Sequence, residues 1–461
     1  MSGSRNAVRG IADLSPALRA REQRAWYWYD WANSAYFTTI GTVLFAPYLI
    51  SVAKRAAPDC GPPGCTPTLH VLGLDVAAGS LPGYLVAIAT FVGFWLLPVV
   101  GAVVDRSPRK KLHMATYAWL GSAFAAAIFF VTGKDWQLGA VAIVVSNVMV
   151  GCSLVSYNAI LVDISTESER DRVSSRGWAW GYLGGGLLLA VNLVMVLLHS
   201  TFGMSEGFAV RLSMLSAALW WAGFTLIPFL RLRNRPALHV VEVSGSVLQR
   251  SFGQLGQTLR EMRGYPMTVT FLLAYLFYND GIQTVITTAS TYGAEELGLG
   301  QTVLIATILM VQFVAFGGAL AFGRLAERYG AYRLILVGTG LWMVIVTGAF
   351  FLPAGRPVPF LVLGFAIAVV LGGTQALSRS FFSLLIPRGR EGAYFSLYQA
   401  CERGTSWLGT FLFAVLFQLT GSYRPSIIAL IVFFVVGGFF LLRLDPERGI
   451  REAGNDAPAV V

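Results

Sequence analysis

Twelve apolar runs, each about as long as a membrane-spanning helix, make up most of this chain. A helix needs roughly 20 apolar residues to cross the hydrocarbon core of a bilayer. The chain is 55% hydrophobic and 13% charged, whereas soluble domains carry roughly a quarter charged residues. We therefore predict an all-α integral membrane protein with twelve transmembrane helices. The runs span residues 26–52, 80–104, 112–132, 137–162, 176–199, 208–230, 265–291, 302–322, 332–352, 358–386, 392–418 and 424–442.

The longest polar gap between these runs separates two groups of six. Lys and Arg concentrate in cytoplasmic loops of membrane proteins. If the amino terminus is cytoplasmic and the loops alternate between the two sides, the outer loops hold only six of the 34 Lys and Arg residues. We therefore predict a multi-pass protein of the cell's inner (plasma) membrane with both termini in the cytoplasm. The predicted units are a cytoplasmic tail (1–25), an N-terminal six-helix bundle (26–230), a cytoplasmic linker (231–264), a C-terminal six-helix bundle (265–442) and a cytoplasmic tail (443–461).

Charge and cysteine content narrow the classes of partner. The net charge is +10, and the basic residues lie in alternate loops between the apolar runs. This distribution indicates membrane topology and not nucleic-acid binding. We expect a small-molecule solute and the lipid bilayer as partners, no nucleic acid, and a monomer. The sequence has neither a Cys-x-x-Cys spacing nor a phosphate-binding glycine loop, so we predict no metal, no cofactor and no enzyme activity.

Two loop features allow alternative interpretations. Cys60 and Cys65 flank a Pro/Gly-rich loop on the predicted outer side. They form either a small disulfide loop or a pair of unlinked cysteines. In the linker, Leu248–Met262 is either a helix lying on the membrane surface or a plain tether.

The first apolar run begins with a crowd of aromatic residues and one carboxylate, Asp30. Aromatic rings favour the membrane–water boundary, and a carboxylate inside it normally faces protein or water. Asp30 is therefore a candidate functional group. The alternative is an interfacial helix whose aspartate lies in headgroup water.

Polar side chains are few in the other runs, and a transporter needs such groups near the middle of its bundle. Because a lone charge in the membrane is costly, we expect Arg379 or Arg403 to pair with Asp280 or Glu402. The candidate substrate and coupling residues are Asp30, Asn33, Tyr36, Asn158, Asn279, Asp280, Gln283, Gln375, Arg379, Glu402 and Arg403.

Two gaps between runs carry a similar pattern, which indicates an internal repeat. After the second run, a glycine precedes an acid by four residues, and an arginine and further basic charge follow. The gap after the eighth run repeats this order. We predict that these segments gate the end of the bundle, ordinary topogenic charge being the alternative. The gating candidates are Gly101, Asp105, Arg106, Arg109, Gly323, Glu327 and Arg328.

The stretch from Gly101 to Lys111 resembles the signature loop of the major facilitator superfamily, with Pro108 where glycine is usual. The segments Tyr29–Tyr36 and Gln375–Ser380 are similar to hallmark segments of the autophagy-related vacuolar amino-acid effluxers and their bacterial relatives. This resemblance implies a fold of two six-helix pseudo-repeat bundles, in which helices 1, 4, 7 and 10 line a central cavity.

The resemblance also implies a function. We expect a secondary active transporter that exports a small polar, amino-acid-like solute by alternating access. Arg379 with Asp280 or Asp30 would supply the two charges that a zwitterion needs. Asp280 is also the candidate for proton coupling, with direct ligation of a substrate ammonium or a structural ion pair as its alternatives. A protein that moves phospholipid headgroups and a non-transporting sensor on a transporter fold are the alternative functions.

Overall fold

The computed structural model describes residues 15–57, 67–71, 73–236, 256, 260–404 and 406–460. Each of the twelve predicted runs coincides with helix. The helices are α1 (Pro16–Ala56), α2 (Leu81–Arg106), α3 (Lys110–Ala127), α4 (Trp136–Ile164), α5 (Arg170–Leu197), α6 (Glu206–Arg231), α7 (Pro266–Thr291), α8 (Gln301–Tyr329), α9 (Ala331–Phe350), α10 (Pro357–Leu384), α11 (Glu391–Gly404 and Ser406–Thr420), α12 (Tyr423–Ala429 and Ile431–Arg443) and α13 (Pro446–Glu452).

Ten of the helices in the described part of the chain are long and apolar enough to cross a membrane by themselves. The two remaining predicted spans are α7 and α11. Both carry charged or amide side chains along their length, such as Asp280 in α7 and Glu402 in α11. The structure therefore confirms the all-α transmembrane fold, and these two spans hold several candidate site residues.

Local sequence signals explain where several helices begin. Proline stands in the first turn of α2, α7, α10 and α13, where its missing N–H has no intrahelical partner to lose. Ser205 accepts a hydrogen bond from the N–H of Phe208 at 3.3 Å at the start of α6. Gly330, with φ of 86°, makes the tight turn between α8 and α9, a backbone conformation that favours glycine.

Within α1, the backbone adopts a π-helix over Tyr36–Leu44. Thr42 Oγ1 donates a hydrogen bond to the carbonyl of Phe37, five residues earlier, at 2.9 Å. Such segments widen the helix and often occur at functional sites. This one follows directly after the aromatic segment that contains Asp30.

A two-stranded hairpin lies between α1 and α2, where no strand was predicted. Strand β1 (Thr68–Val71) pairs antiparallel with β2 (Leu74–Ala77), with Thr68 opposite Ala77. Gly73, at φ of 82°, allows the turn. Cys60, Cys65 and most of Leu248–Met262 lie outside the described residues, so the predictions made for them stay predictions.

The helices form two bundles that meet along two seams. One apolar core is built from residues before 233, and another is built almost wholly from residues after 261. The seams are α2 against α11 and α5 against α8. Small residues allow close approach there: Gly101 packs against the backbone of Gly392, and Gly323 against Ser175. We call the end at which α1 begins and α12 ends the termini end, and the opposite one the far end.

Candidate functional site

A cavity of about 1230 Å³ lies between the two bundles. It reaches from Asp30 and Arg379 towards Pro82 and Phe360, which stand near the far ends of α2 and α10. Eight of the eleven candidate substrate and coupling residues line it, namely Asp30, Asn33, Asn158, Gln283, Gln375, Arg379, Glu402 and Arg403. The cavity therefore collects polar residues from both bundles on an otherwise mainly apolar wall.

Asp30 on α1 and Arg379 on α10 form an ion pair across the two bundles. Atoms Nη1 and Nη2 of Arg379 lie 3.3 and 3.2 Å from Oδ2 of Asp30. Both residues are buried, with exposed fractions of 6% and 3%. The arginine that we expected to pair with Asp280 or Glu402 therefore pairs with Asp30 instead. Arg379 lies on α10 of the C-terminal bundle and Asp30 on α1 of the N-terminal bundle. The packing of the two bundles therefore determines which carboxylate Arg379 binds.

Neighbouring polar groups hold both charges of this pair. Tyr157 on α4 donates its hydroxyl to Oδ2 of Asp30 at 2.6 Å. Arg379 donates from Nε to Ser174 Oγ and from Nη2 to the Ser174 carbonyl, both at 2.9 Å. Because each charge has a hydrogen-bond partner besides the other, the pair avoids much of the penalty for burial.

Aromatic rings surround the guanidinium of Arg379. Its central carbon lies 4.8 Å from the ring centre of Trp26 and 5.5 Å from those of Tyr157 and Trp178. Trp26 stacks on Tyr157 at 4.2 Å between ring centres. Cation–π attraction is strongest where water is excluded, so these rings favour a charged group at this position.

Gly177 on α5 makes room for the ion pair. A Cβ atom there would lie 2.5 Å from Oδ2 of Asp30, 2.7 Å from Cζ3 of Trp26 and 3.1 Å from Nη2 of Arg379. These distances are too short for any side chain. Gly177 and the residues that hold the pair, Tyr157, Ser174 and Trp178, were not among the predicted site residues. In the sequence, Tyr157 and Ser174 are recognisable only as a tyrosine and a serine in or next to an apolar run. Neither position indicates that the side chain binds Asp30 or Arg379.

A second polar group lies on α11, further along the cavity. Arg403 donates to Gln399 Oε1 at 3.4 Å and to the carbonyl of Asn147 on α4 at 3.5 Å. Gln399 in turn donates from Nε2 to Oε2 of Glu402 at 2.6 Å. Arg403 therefore also contacts both bundles, through a neutral carbonyl on the N-terminal side.

The remaining polar candidates are divided between the cavity and the bundle interior. Tyr36 donates to Asn147 Oδ1 at 3.0 Å, and Asn33 donates to the carbonyl of Tyr29 at 2.8 Å. Gln375 accepts from the hydroxyl of Tyr182 at 3.1 Å, again between the two bundles. Asn279 and Asp280 are almost fully buried in the contact of α7 with α11.

The termini end of the cavity is closed by Asp105, the acid of the first predicted gate. The carboxylate is buried and accepts from the backbone N–H of Gly392 at 2.5 Å and of Ala393 at 2.8 Å. These groups form the first turn of α11, whose positive dipole end attracts an anion. Gly101, one turn earlier on α2, packs on Gly392. Arg106, the residue after Asp105, is partly exposed, and Arg109 is exposed.

The second predicted gate makes a weaker contact. Glu327 on α8 lies 3.9 Å from Arg172 on α5, and both side chains are more than 40% exposed. Exposed pairs of this kind contribute little stability. Gly323 packs against Ser175, whereas the Arg328 guanidinium lies over the ring of its neighbour Tyr329.

Stronger contacts between α5 and α10 close the same end and were not predicted. Ser380 donates to Asp171 at 2.5 Å, and Arg170 donates to the carbonyl of Ser383 at 2.9 Å. Arg388, just beyond α10, forms an ion pair with Glu167. Both bundles are thus joined at the termini end by several buried or half-buried polar contacts.

The chain matches the family model described as "Vacuole effluxer Atg22 like" over residues 19–168 and 162–454. It belongs to this family. The MFS-type transporter YxiO of Bacillus subtilis (strain 168) is 31% identical over 443 residues, which cover 95% of this chain and 98% of YxiO. The Atg22-like chain is therefore a transporter of the major facilitator superfamily, not an enzyme.

Solved structures share this fold at low sequence identity. FucP in the outward conformation superposes with a TM-score of 0.64 at 15% identity, covering 93% of this chain and 98% of FucP. The proton:xylose symporter XylE superposes with a TM-score of 0.70 at 12% identity, covering 93% and 96%. These matches confirm the major facilitator fold of the Atg22-like chain.

Proposed function

We propose that this secondary transporter exports a small zwitterionic, amino-acid-like solute by alternating access. The Asp30–Arg379 pair carries the proposal, because it places one negative and one positive charge side by side at the closed end of the cavity. An amino acid carries its ammonium and its carboxylate on the same α-carbon. Its binding would exchange one buried ion pair for two.

That exchange has a favourable balance of charges. Breaking a buried pair by removing one partner is strongly destabilising, since the remaining charge is left uncompensated. A zwitterion leaves neither charge uncompensated: its ammonium faces Asp30 and its carboxylate faces Arg379. Arginine suits this role because its planar guanidinium binds a carboxylate through two parallel hydrogen bonds. The three aromatic rings keep the arginine in place when Asp30 turns to the solute.

Alternating access requires contacts that hold one end closed and release on rocking. Asp105 at the first turn of α11 and the α5–α10 contacts serve as this gate at the termini end. If both termini are cytoplasmic, the cavity of this state faces outwards, and FucP in its outward conformation superposes on it. In the export cycle this is the state that releases solute.

The relatives support both the direction of transport and its coupling to an ion gradient. The family description names an effluxer, which supports export. XylE is a proton symporter, which supports coupling to an ion gradient. Proton coupling through Asp280 stays a prediction for this chain.

Purified protein in proteoliposomes tests the proposal. Vesicles loaded with one unlabelled amino acid should take up its labelled form by counterflow, across a panel of apolar, polar and charged amino acids. Arg379→Lys should retain the charge, lose the paired hydrogen bonds and weaken solute affinity. The matched control is Arg356→Lys, an exposed arginine at the start of α10. Phospholipid movement without counterflow of any amino acid would contradict the proposal and favour the lipid-handling alternative.

A further inference from the structure

Asp280 is a buried carboxylate without an ion-pair partner in the described part of the chain. Its exposed fraction is 1%. Oδ2 accepts a hydrogen bond from the backbone N–H of Gly409 on α11 at 3.0 Å. Oδ1 has no hydrogen-bond partner among the described residues. A charge in this position requires a counter-charge or neutralisation, and intramembrane carboxylates of this kind mark functional sites.

Two neighbours on α7 present further unpartnered oxygen atoms. Thr284, one turn after Asp280, is fully buried, and among the described residues its Oγ1 has no partner. A Cβ on Gly409 would collide with this same Oγ1. Asp280 and Thr284 therefore both face Gly409. Asn279 is 1% exposed, donates to the Glu402 carbonyl at 3.3 Å, and within the described chain has no partner for its Oδ1.

This cluster is distinct from the Asp30–Arg379 pair. Asn279 and Asp280 do not line the cavity, whereas Gln283, one turn further along α7, does. The cluster therefore lies behind the cavity wall, between α7 and α11 of the C-terminal bundle.

We propose that Asp280, Thr284 and Asn279 form a binding site for a sodium ion. Hard cations are bound by carboxylate, hydroxyl and amide oxygen atoms, and these are the three groups that the cluster offers. One monovalent cation neutralises the single carboxylate. It also gives a partner to each of the three unpartnered oxygen atoms.

A proton accounts for less of this arrangement. Protonated Asp280 gains a single O–H donor, which can serve only one of the two other unpartnered oxygen atoms, Asn279 Oδ1 and Thr284 Oγ1. A purely structural role accounts for Oδ2, which accepts from Gly409 in the first turn of the second α11 segment. It leaves Oδ1 unexplained. Sodium coupling through this cluster would rest on the proposed transport, but sodium binding does not.

Equilibrium binding of ²²Na⁺ to the purified full-length protein tests the site without any solute. Wild-type protein should bind about one sodium ion per chain, displaced by unlabelled NaCl but not by choline chloride at equal ionic strength. Asp280→Asn removes the charge and should weaken binding at least ~10-fold. Thr284→Val removes one neutral ligand and should weaken it roughly fivefold.

Two controls separate loss of the site from loss of the fold. Thr270→Val changes the same residue type on α7, where the hydroxyl only bonds the Pro266 carbonyl at 2.9 Å, and should bind like wild type. Asp135→Asn removes an exposed carboxylate and should also bind like wild type.

Absence of saturable sodium binding in folded wild-type protein would overturn the proposal. Equal binding by wild type and Thr284→Val would do the same, and so would proton release on titration without any sodium binding. None of these outcomes decides whether the protein catalyses counterflow of amino acids. The sodium site and the proposed transport can therefore be refuted independently.

Discussion

Gly177 lies so close to Asp30 that a methyl group on its Cα would meet the carboxylate oxygen Oδ2 at 2.5 Å. The same methyl group would meet Trp26 and Arg379. The α1–α5 contact therefore fixes the position of the ion pair that joins the two bundles, and a change on α5 can disturb a pair formed by α1 and α10.

We predict that Gly177→Ala strongly reduces transport while the protein still folds. The added Cβ must displace the Asp30–Arg379 pair or push α5 outwards, and overpacking of this kind destabilises by about 1–3 kcal/mol. Gly223→Ala on α6 is the matched control, because a Cβ there meets no atom within 4 Å. Counterflow rates and thermal unfolding of both variants provide the measurement. Wild-type rates in Gly177→Ala would show that the pair's position is irrelevant to transport.

The second prediction separates the stabilising and the transporting roles of the pair. Asp30→Asn leaves a buried guanidinium uncompensated and should destabilise by about 3–5 kcal/mol. Removing both charges in Asp30→Asn with Arg379→Gln should recover much of the stability, because no lone charge remains. Transport should be lost in the single and the double variants. Thermal unfolding and counterflow measure the two effects, and transport by the double variant would reduce the pair to a structural role.

The third prediction concerns Asp105 and the closed termini end. Asp105→Asn removes the charge that faces the first turn of α11 and weakens two hydrogen bonds, each of which contributes about 1.5–3 kcal/mol because its acceptor is charged. The equilibrium should shift towards opening of this end by roughly tenfold or more. A cysteine at position 383, which is 1% exposed, should then react faster with a maleimide in a background without other cysteines.

Asp445→Asn is the control for this measurement. Asp445 also lies at the termini end, but it is exposed and accepts a hydrogen bond from the N–H of Arg448 in its own bundle at 3.0 Å, so the labelling rate should stay unchanged. Equal labelling of Asp105→Asn and wild type would show that Asp105 does not hold the gate.

The apolar runs were sufficient to predict the helices, because a membrane imposes one length and one composition on every span. Candidate residues could also be found, since charges inside apolar runs are rare and conspicuous. Asp30 and Arg379 were both among them. Their pairing could not be predicted, because 349 positions separate them in the chain and only the packing of the bundles brings them together.

Contacts made by backbone groups and by glycines were the least predictable, because no side chain in the sequence indicates them. Asp105 binds two backbone N–H groups of α11, and every residue except proline carries such a group. Gly177 is one of 50 glycines, and its role depends on what stands opposite. The hairpin β1–β2 lies in a gap too polar for a span, where the apolar pattern carries no information.

The last prediction concerns Asn455, which follows the short helix α13. Its Nδ2 donates to the carbonyls of Leu384 and Ile386, both at 2.8 Å, at the end of α10. Ile450 on α13 is fully buried and Gly449 packs on Leu385 and Met267. The segment after α12 therefore folds back and holds the end of α10 next to the contact of Ser383 with Arg170.

We predict that Asn455→Ala lowers the free energy of unfolding by about 1–3 kcal/mol, since two buried carbonyls lose their donor. The end of α10 should also become more mobile, so a cysteine at position 383 should react faster, as with Asp105→Asn. Asp456→Ala, at the neighbouring exposed position, should change neither quantity. Asn455→Asp provides the sharper comparison: it keeps the size of the side chain but replaces the donor by an acceptor facing two carbonyls, so it should destabilise more than alanine does. The reverse order of the two variants would show that the size of the Asn455 side chain, and not its amide group, holds α10.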